Sequence, residues 1–162
     1  MKLFRYSILA AAGGALAAVT ASSALAAAPI LVSGKYAGQA STQVNGNTVT
    51  IAATGAGKST ILGAGKITGS GTGDSSQQPC VPFGGTGKIT GTAGTTITYK
   101  VISTNGQGCG DEGGHLFSVK ATLIVVKATG RLAKAKGTLR LTGVYSRDDG
   151  SFSVKLTGTL RK

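Results

Sequence analysis

Three groups of residues have the types and spacing that chemistry requires. The first is Asp111 and Glu112 with His115, the single histidine of the chain. An imidazole titrates near neutral pH, so beside two carboxylates it could act as a general base or hold a cation loosely. No G-x-S-x-G turn offers it a serine nucleophile, and a solvated loop is the simpler reading. The second is Ala52 to Ser59, AATGAGKS, which satisfies a relaxed phosphate-loop pattern. Such a loop must open a helix whose N-terminus holds the phosphates. The following TILGAGKITGSG is broken by glycine and cannot sustain that helix, so a glycine-rich hairpin is expected instead. The third is Cys80 and Cys109, the only two cysteines. With one histidine they fall short of the four ligands of a metal site, and an even pair predicts a disulfide. No residue can be assigned a catalytic role, and neither a cofactor nor a metal is implied.

The elements that must position these groups are strands. From residue 115 to the C-terminus, apolar side chains occupy alternate positions: Phe117, Val119, Ala121, Leu123 and Val125, then Leu139, Leu141 and Tyr145, then Phe152, Val154, Leu156 and Leu160. Strict alternation places one set of side chains on each face of a β-strand. Asp149-Gly150 between the last two runs is a tight-turn pair, so the stretch reads as an antiparallel three-strand meander. Upstream, strands are expected over 30–42, 48–54, 60–68, from 88 to 90 and over 95–103, with Asn45-Gly46 as a hairpin turn. The intervening stretches 69–85 and 105–114 read as polar, glycine-rich loops, each holding one cysteine. The disulfide would then tie the two longest loops together at one end of the fold. GAGKITG at 63–69 and GTGKITG at 85–91 repeat one another, as glycine-bent hairpins of a curved sheet would. With no helical segment, the chain is all-β and antiparallel, about eight strands in a closed or nearly closed barrel, with a β-sandwich as the alternative. Tyr36, Tyr99 and Tyr145 are the candidate ligand contacts inside it.

Residues 1–26 have the layout of a secretory leader. Lys2 and Arg5 precede an alanine-rich apolar stretch, and Ala24-Leu25-Ala26 is a small-residue cleavage site. Residues 27–162 then form a single barrel domain, secreted or periplasmic, with no further segment able to span a membrane. An oxidising compartment agrees with the paired cysteines. Of the 17 basic residues two lie in the leader, leaving fifteen against five acids, a net charge of +10. Such a domain attracts polyanions by long-range electrostatics. The densest bases, Lys127, Arg131, Lys134, Lys136 and Arg140, are a candidate polyanion-binding surface. Specific nucleic-acid recognition is not expected, because aromatic residues are few and fall on inward positions.

The run Thr129-Gly130-Arg131-Leu132, Ala135, Gly137-Thr138-Leu139 and Thr142-Gly143, with the closing strand Leu156-Thr157-Gly158-Thr159-Leu160, resembles the C-terminal half of small secreted bacterial proteins of the allene oxide cyclase-like and dirigent-like barrel group. The resemblance covers about a quarter of the chain, with Leu132 where an aromatic is usual. It implies an eight-stranded barrel of the calycin type and carries no catalytic residue across. The expectation is a non-catalytic secreted barrel that binds a small apolar ligand inside or an anionic cell-wall or surface polymer outside. The alternatives are a cyclase or isomerase of the same barrel group and a structural protein of the cell envelope.

Overall fold

The alternating pattern is realised as nine antiparallel strands in a computed structural model that describes residues 28–162. The leader expected at 1–26 lies outside the described residues. The strands are β1 (Ile30–Asn45), β2 (Thr48–Ser59), β3 (Gly63–Asp74), β4 (Cys80–Thr90), β5 (Thr96–Val101), β6 (Gly106–Gly110), β7 (Leu116–Ala128), β8 (Lys136–Ser146) and β9 (Ser151–Arg161). Hydrogen bonding runs β1–β2–β3–β4–β5–β7–β8–β9 and returns to β1, so eight strands close a barrel. The sandwich alternative is excluded by that closure. The short β6 pairs with β4 on one edge and β7 on the other, continuing the wall beyond the end of β5. Closure leaves no long edge strand for another chain to pair with.

The two ends of the barrel differ. At one end the turn before β3 and the connections β4–β5 and β7–β8 fold inward. Leu62, Leu132 and Ala135 from these segments are at most 2% exposed and plug the opening. The plug is tied down by Thr129, whose hydroxyl lies 2.8 Å from that of Thr96 and accepts the Thr96 N–H, while the Thr129 N–H donates to the Thr96 carbonyl. Arg131 donates to the Ile61 carbonyl across the same end. Tyr36, Ile89, Ile97, Leu139, Leu156 and Leu160 pack above the plug and complete the core. At the other end the turns are polar and leave the lumen open, with Ser75 and Gln78 of the β3–β4 turn at its mouth.

A narrow barrel leaves little room for a side chain at every inward position, and glycine makes that room. Gly87 on β4 is paired with Tyr99 on β5 and with Gly69 on β3. The Tyr99 ring lies across Gly87, and its hydroxyl reaches the Thr68 carbonyl at 3.1 Å. Phe152 on β9 does the same across Gly38 and Gly55, where a Cβ at Gly55 would stand 2.7 Å from the ring. A bulky residue on one strand thus occupies the volume that its neighbour leaves vacant.

This use of glycine explains where the strand expectations fell short. The stretch 69–85 is not a long loop. β3 continues to Asp74 and β4 begins at Cys80. The stretch 105–114 likewise contains β6. Gly71, Gly73, Gly85 and Gly106 sit at close approaches between strands, while Gly113 and Gly114 are in the turn before β7. The Cys80–Cys109 disulfide forms as expected but joins directly paired residues of β4 and β6, with Cα atoms 3.9 Å apart. The phosphate-loop pattern 52–59 is wholly within β2, paired to β1 and β3, so no helix follows it.

Two measurements check this account. G87A and G55A each lower unfolding free energy by roughly 1–3 kcal/mol in urea titration, the range for overpacking a filled interior. A56G, at an exposed neighbouring position of β2, changes it by no more than about 1 kcal/mol. The C80S/C109S double variant releases a link between residues 29 apart and loses roughly 3–4 kcal/mol on the chain-entropy account.

Candidate functional site

The plug fills only half of the lumen. Above it the barrel holds a cavity of about 450 Å³, open at the unplugged end. Its floor is Ile67, Tyr99, Leu123 and Val154, its walls include Ala40, Ala53, Val119, Leu141 and Phe152, and its mouth includes Val44, Val81, Phe117, Tyr145 and Arg147. Alternation builds this lining. Close to the plug, Tyr36 on β1, Val125 on β7, Leu139 on β8 and Leu156 on β9 point inward, are large and are buried. Midway up the barrel the inward residues of β1 and β2 are small, Gly38 and Ala40 on one strand and Ala53 and Gly55 on the other. Small residues there leave the volume unfilled.

Polar groups inside the cup are few. The Tyr99 hydroxyl is committed to the Thr68 carbonyl, and burial pushes its pKa up to about 12. At the mouth the Tyr145 hydroxyl stands 3.4 Å from the Thr42 hydroxyl, and the Tyr145 ring leans on Phe117 with centroids 6.1 Å apart. Arg147 brings a guanidinium to the rim. Of the three candidate tyrosines, the structure therefore brings Tyr99 and Tyr145 to the cavity. Tyr36 is instead within the packed base, 1% exposed, its hydroxyl without a hydrogen-bond partner. Burial raises its pKa, and the nearby Ser59 hydroxyl offsets part of that effect. Alternation alone aimed Tyr36 inward but could not give its height along the barrel axis.

The acid cluster stands at the rim. The Asp111 carboxylate accepts the backbone N–H groups of His115 at 2.9 Å and Leu116 at 3.3 Å. Partial desolvation opposes its ionisation, but the Leu116 and His115 N–H bonds outweigh it and hold the carboxyl below the usual range. His115 turns away from Asp111 and Glu112 to Asp148 on the neighbouring turn, with Nδ1 2.7 Å from Oδ1. A carboxylate only accepts, so Nδ1 carries the proton. Both side chains are about two-thirds exposed, and this is the one ion pair among the described residues. The arrangement latches two rim turns together. No group of three or more potential metal ligands occurs among the described residues.

The five bases proposed from sequence are all exposed. Lys127, Arg131, Lys134 and Lys136 surround the plugged end, and Arg140 is on the outer wall of β8. None of them lines the cup. Comparison with protein-family models, with curated proteins and with solved structures finds no match.

The rim latch has a signed pH dependence. The hydrogen bond and charge of Asp148 raise the His115 pKa above 6.5. Its contribution to stability is therefore full below about pH 6.5 and is lost as the pH rises through the raised value. NMR titration of His115 should show the raised pKa in the wild type and its return towards the ordinary value in D148N. The difference in melting temperature between the two proteins should fade over the same interval.

Proposed function

We propose that the protein is a secreted, non-catalytic barrel that holds a small apolar molecule in its open cup. The observation that carries this reading is the cavity of about 450 Å³, walled by aliphatic and aromatic side chains and closed at one end. Ligand sites of roughly 300–1,000 Å³ with a few convergent polar groups are the usual form for such molecules. Placing an apolar ligand there removes its surface from water at about 25 cal/mol per Å². Arg147 and the Tyr145–Thr42 hydroxyls would meet a polar end of the ligand at the mouth. Within the cup, the Tyr99 hydroxyl is already bonded and raised in pKa, so it is a poor proton donor or acceptor for turnover. Export is supported by the leader-like residues 1–26, and the disulfide is compatible with it. No helix among the described residues is long and apolar enough to cross a membrane. The outer wall carries exposed Lys35, Lys58 and Lys155 where a lipid-facing barrel needs an apolar band.

The resemblance to the allene oxide cyclase-like and dirigent-like barrels favours a second reading, in which the same cup shapes an apolar substrate for cyclisation or isomerisation. Both readings need the cup.

The test is binding of the fluorescent apolar probe N-phenyl-1-naphthylamine, with native mass spectrometry of protein from its own culture. One probe per chain is expected, and A53W, which fills the lumen, should weaken binding by at least about tenfold, equal to about 1.4 kcal/mol. A40W is the second variant should A53W fail to fold. No probe binding, or equal binding by a folded filling variant, overturns the cup.

A further inference from the structure

The charges of the described residues are sorted along the barrel axis. All five acids, Asp74, Asp111, Glu112, Asp148 and Asp149, are at the open end. Arg147 is the single Lys or Arg in the open-end turns. The remaining bases are on the wall or the plugged end.

On the wall the register brings three lysines into one row. Lys155 on β9 is directly paired with Lys35 on β1, and Lys35 is directly paired with Lys58 on β2. All three are exposed, and none has an acidic partner among the described residues. Like charges directly opposite across a sheet repel and oppose folding. The line continues. Lys66 on β3 is two residues beyond Ala64, the partner of Lys58, and Lys88 on β4 is two residues from Thr90, the partner of Lys66. Each of these steps moves towards the open end. Diagonal neighbours of this kind are about 7–8 Å apart. Beside Lys88 the outer surface dips over Gly69 and Gly87 into a depression lined by Thr68, Ser70, Thr86 and Thr98. Lys66 and Lys88 are equivalent residues of the repeated G-x-G-K-I-T-G.

We infer that this row, Lys155–Lys35–Lys58–Lys66–Lys88, is a binding track for a flexible linear polymer with a phosphate backbone. It is one lysine wide and spans five of the eight strands, so it curves around more than half of the barrel. A flat membrane touches only a short arc of such a curve, whereas a flexible chain can follow all of it. No Phe or Tyr side chain among the described residues is exposed, and the exposed His115 is at the open-end rim, so the track has no platform for stacking bases. Threonine and serine hydroxyls beside the lysines add donors for phosphate oxygens. With the polymer on the wall, the acidic open end is repelled from it, and the cup faces away. The track does not depend on the cup being occupied.

The test uses long-chain inorganic polyphosphate as the probe and compares two triple variants of equal net charge. K35T/K58T/K155T removes three track contacts. K134N/K136T/K162T removes three exposed bases at the plugged end. The wild type should bind polyphosphate with affinity that falls steeply with salt. The track variant should reduce the slope of log affinity against log salt by about 2, at about 0.7 per lost phosphate contact. The control variant should lose less than half as much. The track variant should melt no lower than wild type, since it removes two opposed lysine pairs, and K35T alone removes both pairs should the triple fail to fold. No polyphosphate binding by the wild type, or equal losses in the two triples, overturns the track. Preferential capture by phosphatidylglycerol vesicles with the same dependence on Lys35, Lys58 and Lys155 also overturns it, in favour of a membrane.

Discussion

The structure depends on how little space an eight-stranded barrel encloses. Side chains from every strand converge on one axis, and they cannot all be large. The chain meets this limit by setting glycine on one strand beside an aromatic ring on the next, as at Gly87 with Tyr99 and Gly38 with Phe152. The ring then lies along the wall and shields the backbone of its neighbour. Glycine is intrinsically unfavourable within a strand. Here the buried ring and the strong curvature that glycine permits offset that loss.

From this constraint the asymmetry of the barrel follows. In the plugged half, large aliphatic residues, Leu62 and Leu132 reach the axis and exclude water. In the open half the inward positions of β1 and β2 include the small Ala40 and Ala53, and the aromatic side chains lie along the walls or line the mouth. A cavity remains because nothing long enough points into it. Its apolar walls make a dry ligand more favourable there than ordered water, which would find few hydrogen-bond partners. The Cys80–Cys109 link stands where β6 takes over from β5 and the pairing is shortest, so it reinforces the wall near the mouth.

Charge is arranged independently of the interior. Outward residues are free of packing limits, so their pattern can answer to solubility or to a partner. Asp74, Asp111 and Asp149 also serve the fold. Each carboxylate accepts backbone N–H groups within its own turn and so fixes the geometry of an open-end turn. The lysines of β9, β1 and β2 have no comparable role in stability. Their direct opposition works against the sheet, which is why a binding role outside the barrel accounts for them better than folding does.

Period-two alternation made β7, β8 and β9 legible from residue types, because each has one buried and one solvated face. The turns at Asn45-Gly46 and Asp149-Gly150, the all-β class and the cysteine pairing were legible for equally local reasons. The mouth halves of β3 and β4, and all of β6, were not. Their glycines mimic loop composition, and only the neighbouring strands reveal that Gly69, Gly106 and Gly110 lie against aromatic rings while Gly71 and Gly85 meet backbone at close range. Height along the axis was also hidden, which is why Tyr36, Tyr99 and Tyr145 looked alike although one is in the base and two line the cup. Residue types and local spacing thus determined which segments are strands and which faces turn inward. Register decided the rest, namely the cup and the meeting of Lys155, Lys35 and Lys58, because hydrogen bonding between strands joins residues that the chain itself keeps far apart.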